Sequence, residues 1–499
     1  MTDPFNVPHG PDTVGVLDIG SNSIRFVVYD IYGSHFTPVY NEKVLAGLGR
    51  GLKETDRLSE DGKVMALEAL KRFQEIVKAR GIDHLYIAAT AAMREATDAP
   101  DFIREIERQT GLRVDPVSGE EEARLSALGL LSGDPDAIGI GADLGGASLE
   151  LMRVGEGQSH ERISLPLGPF EAVGSDLRDA DYDALIPQID AVLKTLPASL
   201  SETDTLFLIG GAWRNLAGIE MERTSYPLRT IQSFAMDAQD ADRLAQWAYQ
   251  DGKEQLFNWP GTRQQRAETL PYSGLLLSRL IQIIRPKKIV LSLTGLREGL
   301  VFDGLPDAAR QRDALLDGCR DFASGLLQSE YFGHPLMEFI DGASSILPVA
   351  FDNGTDERLR KASCLLAGLG KNLHPDYRAE LVFEDVLYAP IAGLDHPQRV
   401  WLALTLFRSV SRTKQPPNQR AIDLLLTEEQ VRAAEILGAA IRLAIVATGR
   451  TPELVSTFKL FRDGDTLRLD GEIKALLTEQ VAFRLAKLAG ALGLEAVIS

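Results

Sequence analysis

One stretch of this chain occurs twice, and that repetition constrains the fold more than any other feature of its 499 residues. Around Asp18 the sequence reads VGVLDIGSNSIRFVVYD, and around Asp143 it reads IGIGADLGGASLELMRV. Placing Asp18 on Asp143 puts Gly20 on Gly145, Ser23 on Ser148 and Arg25 on Glu150, so the copies carry opposite charges at one matching position. Each copy is a short apolar strand, an Asp, a Gly/Ser/Asn turn and a second alternating strand, which together predict a β-hairpin. Such a turn directs several backbone N–H groups into one concavity suited to phosphate oxygens. If the hairpins face each other, one brings an arginine for phosphate and the other brings carboxylates for a metal or a water.

Strand and helix periods alternate behind each copy. After the first hairpin (13–32), Val64, Leu67, Leu70, Phe73 and Val77 recur at helical spacing over 60–80, ending at Gly81. HLYIAAT (84–90) reads as a buried strand, a helical patch begins at Ala91, a helix covers 99–110, and LRVDPVS (112–118) reads as a further short strand. A helix over 119–131 leads to the second hairpin at 138–154. A second α/β pattern follows: a helix near 182–196, the strand TLFLIG at 205–210, helices through about 285, and the strand KKIVLS at 287–292. The segment TGLREGLVFD closes it near 304. From about 310 to 450 the pattern is helical and rich in Leu and Ala. The tail TFKLFRDGDTLRLD predicts a strand pair around Asp463–Asp465, followed by a helix over 478–490 and the strand LEAVIS. A duplicated hairpin with α/β elements behind each copy is the pattern of a duplicated ribonuclease-H-like fold, shared by actin, hexokinase and acetate kinase, with the ligand in the cleft between copies. The expected domains are 1–130 and 131–306, both ribonuclease-H-like, then a helical domain over 307–450 and a small α+β C-terminal segment over 451–499.

Composition excludes some functions. A formal net charge of −18 argues against nucleic acid as a partner. It leaves room for a polyanionic substrate, because screening confines charge effects to about 8 Å at physiological salt and a local arginine cluster can dominate. The start MTDPFNVPHGPD is polar and proline-rich, unlike a signal peptide, and no apolar run reaches the roughly 18 residues of a membrane helix. The cysteines Cys319 and Cys364 lie far apart without ligand spacing, as core thiols of a reducing cytosol do. The expected location is cytoplasmic, with no membrane association.

Several segments carry chemistry. Asn22, Ser23 and Arg25 flank the Gly20 turn and can bind phosphate, the arginine bidentately, although an ordinary Asn/Gly turn beside a solvated arginine has the same sequence. In DLGGASLE, Asp143 and Glu150 flank a glycine-rich nest, a plausible magnesium site because Mg²⁺ takes one or two carboxylates plus phosphate oxygens. In SGEEEAR (118–124), Ser118 and Glu121 form a capping box, Glu120 suits the first turn of a helix, and Glu122 is left without a structural role. Glu122 is therefore the candidate general base for a water attacking a phosphoanhydride, with Glu121 as the fallback. Arg94, in ATAAMREA, follows the strand that ends at Thr90 and can reach a phosphate or lie exposed. LIGGAWRN (208–215) offers backbone donors at Gly210 and Gly211, and Arg263 and Arg266 lie near a proline-broken turn.

Together these segments resemble the exopolyphosphatase and guanosine pentaphosphate phosphohydrolase family. DIGSNSIR, ATAAMREA, SGEEEAR, DLGGASLE, LIGGAWRN, QRAETLP and GLREG (295–299) occur in family order over roughly residues 14–304. HPDYR (374–378) and GLDHPQR (393–399) resemble the helical region of the family's long form, which is related to the HD phosphohydrolases. The resemblance implies an all-α HD-like domain over 307–450 and Mg²⁺-dependent release of terminal orthophosphate from linear inorganic polyphosphate, with a K⁺ requirement left open. Guanosine pentaphosphate hydrolysis, with guanosine penta- or tetraphosphate as ligand, and polyphosphate-to-nucleotide phosphotransfer are the alternatives. It implies a homodimer, Glu122 as catalytic base, Asp143 and Glu150 as metal and water carboxylates, and phosphate contacts from Asn22, Ser23, Arg25, Arg94, Gly145, Gly146, Ser148 and Arg266.

Two departures stand out. Many relatives read DxGGGSTE, where this chain has Ala147 and Leu149, which removes one hydroxyl and one glycine. The stretch AGLGKNLHPDYR lacks the adjacent His-Asp pair of active HD enzymes, and the isolated His374 and His396 do not replace it, so that domain is expected to be catalytically inactive. Its stretch FRSVSRTKQPPNQR carries Arg408, Arg412, Lys414 and Arg420, either a solvated loop or the wall of a channel holding the body of a polyphosphate.

Overall fold

The computed structural model describes residues 13–174, 177–260, 267–324, 329–411 and 414–499. The chain divides into two compact units, Met1–Arg312 and Asp313–Ser499. The first is built on two mixed sheets. β1 (Thr13–Ile19), β2 (Ile24–Tyr32), β3 (His35–Val44) and β4 (His84–Ala89) form one sheet in the order β3-β2-β1-β4. β5 (Gly139–Leu144), β6 (Leu149–Gly155), β7 (Gln158–Leu165), β8 (Thr205–Ile209), β9 (Ala235–Asp237) and β10 (Lys288–Leu291) form the other in the order β7-β6-β5-β8-β10-β9. The series 3-2-1-4 thus recurs as 7-6-5-8, with β1 parallel to β4 and β5 parallel to β8. This is the duplicated α/β arrangement expected from the repeat.

The duplication holds at the level of single hydrogen bonds. Asp18 stands opposite Arg25 in the first hairpin and Asp143 opposite Glu150 in the second. Gly20 N–H donates to the Ser23 carbonyl at 3.0 Å, and Gly145 N–H donates to the Ser148 carbonyl at 3.0 Å. Strand alternation then sorts the faces. Leu17, Ile19, Ile24, Phe26 and Val28 enter the core of the first lobe, where Phe26 lies 5.4 Å from Phe73 of the helix Glu60–Arg80. That helix is capped by Ser59, whose side chain accepts from Gly62 N–H, and by Gly81 at φ 63. Its buried line runs through Ala66, Ala69, Leu70, Phe73 and Val77; Val64, placed on the apolar face by its spacing, is 60% exposed.

The opposite face of each hairpin meets a helix. Val16, Val27 and Tyr29 pack with Val301 of the helix Leu296–Gly304, and Met152 and Val154 pack with Ala123, Ala127 and Leu130 of the helix Gly119–Gly133. The two helices cross at near-backbone contact. A Cβ on Gly299 would sit 1.8 Å from the Leu125 carbonyl oxygen, and one on Gly129 would sit 1.9 Å from that of Gly295. Only glycine permits this approach. The segment LRVDPVS, read as a strand, forms only an isolated bridge between Ala89 and Pro116, because Pro116 has no N–H to continue a ladder.

The second unit begins with helices, including Ala314–Ser324, Ser329–Asp341, Asn353–Leu366, Arg378–Tyr388, His396–Val410 and Glu428–Thr448. Trp401 and Phe383 are buried, and Phe383 meets Phe407 edge-on at 6.0 Å. The tail adds β11 (Phe458–Asp463), β12 (Thr466–Gly471) and β13 (Glu495–Ile498), with the helix Glu479–Leu492 between β12 and its parallel partner β13. Cys319 and Cys364 are free, buried thiols. Among the described residues no helix is long and apolar enough to cross a membrane.

Candidate active site

The two hairpin turns meet. Gly146 lies so near Ser21 that an added Cβ would stand 3.2 Å from the serine's own Cβ. The first turn is pinned from outside, since Gly47 N–H donates to the Asn22 carbonyl at 3.0 Å and Gly49 N–H to the Ser21 carbonyl at 2.8 Å. Between the lobes lies a cavity of about 450 Å³, lined by residues that include Asp18, Arg25, Glu122, Asp143, Glu150 and Arg297. Asn22, Ser23, Gly145, Gly146, Gly210 and Gly211 also line it, so most of the expected phosphate-binding positions converge. Ser148 and Arg94 are not among its lining residues. Arg266 lies outside the described residues.

Glu122 and Glu121 diverge at the start of one helix. Ser118 caps that helix by accepting from Glu121 N–H at 3.1 Å. The Glu121 carboxylate receives two 2.8 Å bonds from Arg124, which also donates to Asp303 at 2.7 and 3.0 Å. Glu121 is thereby committed to tying the two crossing helices together. Glu122, 7% exposed, lines the cavity instead. The cation beside it is Arg94, whose Nη1 stands 3.4 Å from Glu122 Oε2 and donates to the Val117 carbonyl at 2.8 Å.

Carboxylates gather on the face of β5 and β6. Ser126 donates to Asp143 Oδ2 at 2.6 Å, and Ser164 donates to Glu150 Oε1 at 2.8 Å. Burial, then the Asp143 charge, pushes Glu150 up to about 7 against the hydroxyls of Ser148 and Ser164. Burial, then Glu150, holds Glu122 well above the usual carboxylate range, with Arg94 opposing. Asp143 and Asp18 are also raised, chiefly by burial. These buried carboxylates are raised despite the charges of Arg94, Arg214 and Arg297, and the donor set fits a divalent cation.

The face of β1 and β2 carries the opposite sign. Arg25 Nε donates to Asn41 Oδ1 at 2.8 Å, and burial, followed by the neighbouring charges of Arg297 and Arg214, lowers its pKa to about 10. Arg297 Nε stands 4.0 Å from Asp18. Its neighbour Glu298 accepts from Tyr29 at 2.5 Å and from Gly295 N–H at 3.0 Å, fixing the first turn of that helix against β2. Lys43 and Arg214 complete the cationic lining. Arg214, Arg297, Lys43 and Asp18 are cavity residues beyond those expected from the sequence, although LIGGAWRN and GLREG contain the two arginines; an arginine shortly after a glycine that opens a helix is the signal the two share.

The departures in the second hairpin are explained locally. Ala147 does not adopt positive φ, so alanine fits, and its carbonyl accepts from Gly168 N–H at 2.9 Å. Leu149 is fully buried in the core of the second lobe, on the face away from Glu150. In the second unit, Arg408 pairs with Glu435 at 3.0 Å and Lys414 with Glu380 at 2.8 Å, Arg420 is exposed, and Arg412 lies outside the described residues. His396 is buried and His374 is exposed.

Two ribonuclease-H-like lobes closing on a cavity with a cationic and a carboxylate wall define an actin-like α/β protein built to handle phosphate. Residues 27–308 match the model of the Ppx/GppA phosphatase family, more than half of the chain, and the chain belongs to that family. Residues 327–498 match the model described as exopolyphosphatase, C-terminal. The chain is 24% identical over 319 residues to exopolyphosphatase 1 of Mycobacterium bovis, covering 59% of this chain and 89% of that protein. It is 26% identical over 433 residues to retrograde regulation protein 2 of Saccharomyces cerevisiae, covering 79% and 71% respectively. The Ppx/GppA enzyme of Aquifex aeolicus superposes with a TM-score of 0.51 at 22% identity, covering 58% of this chain and 99% of that structure. An exopolyphosphatase from Cytophaga hutchinsonii gives 0.50 at 21%, covering 59% and 99%.

Proposed function

We propose that this protein is an exopolyphosphatase, which releases orthophosphate from the free end of inorganic polyphosphate. The observation that carries this reading is the orientation of Glu122: it lines the cavity beside Glu150, whereas its neighbour Glu121 is consumed by Arg124. The terminal phosphate rests against the second hairpin turn at Gly146, beside Gly145, whose own N–H is held by the Ser148 carbonyl. Ionised Glu122 orients a water and takes its proton while the water oxygen bonds to the terminal phosphorus. The bridging P–O bond breaks, and the shortened chain leaves with its negative charge among the arginines. Burial makes Glu122 a stronger base than an exposed glutamate, and the Arg94 charge opposes that shift.

Asp143 and Glu150 would hold Mg²⁺. Among the described residues no three His, Cys, Asp or Glu side chains form a preformed cage, and a magnesium ion sharing substrate oxygens needs none. Bound there, the ion would supply charge neutralisation for the phosphate oxygens. The helical region, read as an inactive relative of HD phosphohydrolases, contributes no chemistry to this scheme, and a cytoplasmic homodimer is the assembly that accords with the family.

Hydrolysis of guanosine pentaphosphate is the alternative, since it needs the same phosphate chemistry. Phosphate release from long polyphosphate and from guanosine pentaphosphate, side by side and with or without Mg²⁺, tests the reading. Magnesium-dependent release from polyphosphate at the higher kcat/KM is expected. Release from the nucleotide alone, or ATP formation from ADP without release, would overturn it.

A further inference from the structure

Two serines of the helix Gly119–Gly133 spend their hydroxyls differently. Ser132 turns back on its own helix and donates to the Gly129 carbonyl at 2.7 Å, as buried helical serines commonly do. Ser126, fully buried, donates across to the sheet instead, to Asp143 Oδ2 at 2.6 Å. The same oxygen faces the other crossing helix, since a Cβ added to Gly295 would stand 3.3 Å from it. Asp143 lines the cavity and Ser126 does not, so the serine holds the carboxylate from behind. The further neighbours of Asp143, which are Arg214, Asp18 and Arg297, act on it through charge.

Asp143 therefore has one oxygen engaged by the protein, and among the described residues its Oδ1 accepts no hydrogen bond. A carboxylate fixed in this way offers a cation a single oxygen. Mg²⁺ is small, demands an octahedron and keeps several waters, so it takes carboxylates one oxygen at a time. Ca²⁺ gathers about 6–8 oxygens and readily takes both from one carboxylate. Ser126 also lies one turn beyond Glu122, so one rigid element sets both the water base and the carboxylate beside it.

We propose that Ser126 is a positioning residue for the metal: it holds Asp143 to coordination through Oδ1 alone and thereby makes the site prefer Mg²⁺ to Ca²⁺. This rests on the exopolyphosphatase reading, which puts the cation at Asp143 and Glu150.

The test is metal binding by the full chain without substrate, in wild type, Ser126→Ala and Ser126→Thr, with Tm measured on each. Mn²⁺, an oxygen-binding octahedral ion like Mg²⁺, is bound first, and its displacement by Mg²⁺ or by Ca²⁺ is followed by electron paramagnetic resonance. Wild type is expected to release Mn²⁺ to Mg²⁺ at lower concentration than to Ca²⁺. Ser126→Ala is expected to lower this Mg²⁺-over-Ca²⁺ ratio by roughly 10- to 100-fold, because the freed Oδ2 can join a Ca²⁺ shell. Ser126→Thr restores the hydroxyl and should stay within about threefold of wild type. A serine that only fills space would leave the ratio unmoved or weaken both metals alike. Either of those results in a folded Ser126→Ala, or a wild type that binds Ca²⁺ as tightly as Mg²⁺, would overturn the assignment. Selective Mg²⁺ binding by a wild type that releases nothing from polyphosphate would instead refute the hydrolase reading and leave the role of Ser126 standing.

Discussion

Replacing Glu150 by glutamine should make the metal-free protein more stable at alkaline pH while removing its activity. Glu150 is almost fully buried between Asp143, Ser148 and Ser164, and its carboxyl titrates at about 7 in the fold against 4.5 ordinarily. Between those values the native state binds a proton that the unfolded chain has lost, so stability falls as pH rises through this window. At about 1.36 kcal/mol per unit, the cost of ionising Glu150 in the fold approaches an order of 3 kcal/mol above pH 8. Glutamine carries no charge at any pH and keeps an oxygen that can accept from Ser164. Urea unfolding of wild type and Glu150→Gln, at pH 5 and pH 8 in EDTA, should show nearly equal stability at pH 5. At pH 8 the variant should be ahead by roughly 2–3 kcal/mol, or roughly 3–5 °C in Tm for a unit of this size. Mg²⁺ should restore much of the wild-type loss and little of the variant's. Curves that run parallel for the two proteins across this range would refute the electrostatic account of the carboxylate wall.

Two further outcomes follow from the same geometry. Gly299→Ala should cost at least 1–3 kcal/mol by forcing the crossing helices apart at Leu125, and thermal unfolding would read it as a lowered Tm. Arg94→Gln should move the acid limb of the kcat/KM profile to higher pH, because it removes the cation that opposes Glu150, Asp143 and Asp18 around Glu122; an unchanged limb with a raised KM would make Arg94 a phosphate ligand instead.

Much of this architecture was readable from the chain, for identifiable physical reasons. The hairpins β1–β2 and β5–β6 are buried on both faces by a core and a covering helix, so their apolar residues stand out against the Asp and the Gly turn. The third strands were not legible. β7 is QSHERISL, an edge strand with only Leu165 buried, and β3 carries Pro38 and a polar run from Asn41 to Lys43. Conversely, the apolar spacing of LRVDPVS suggested a strand that Pro116 prevents. In the site, Ser118 caps the helix at Glu121 N–H as expected, but the capping box is not completed: the Glu121 carboxylate pairs with Arg124, and that ion pair, not a box, is what leaves Glu122 to the cavity. The engagement of Arg94 with Glu122 and Val117 depends on how a long side chain is oriented across packed elements, which local sequence does not encode. Arg297 and Arg214 reach the cavity from helices far from the hairpins in sequence, and only the folded lobes bring them together.

The central claim is that Glu122 activates the water, and one measurement addresses it directly: phosphate release from long polyphosphate by Glu122→Gln, with imidodiphosphate affinity and Tm measured on the same preparation. The account predicts a fall in kcat on the order of 10²–10⁴ with affinity and folding retained. Turnover within a few-fold of wild type in a folded, ligand-binding variant would contradict it.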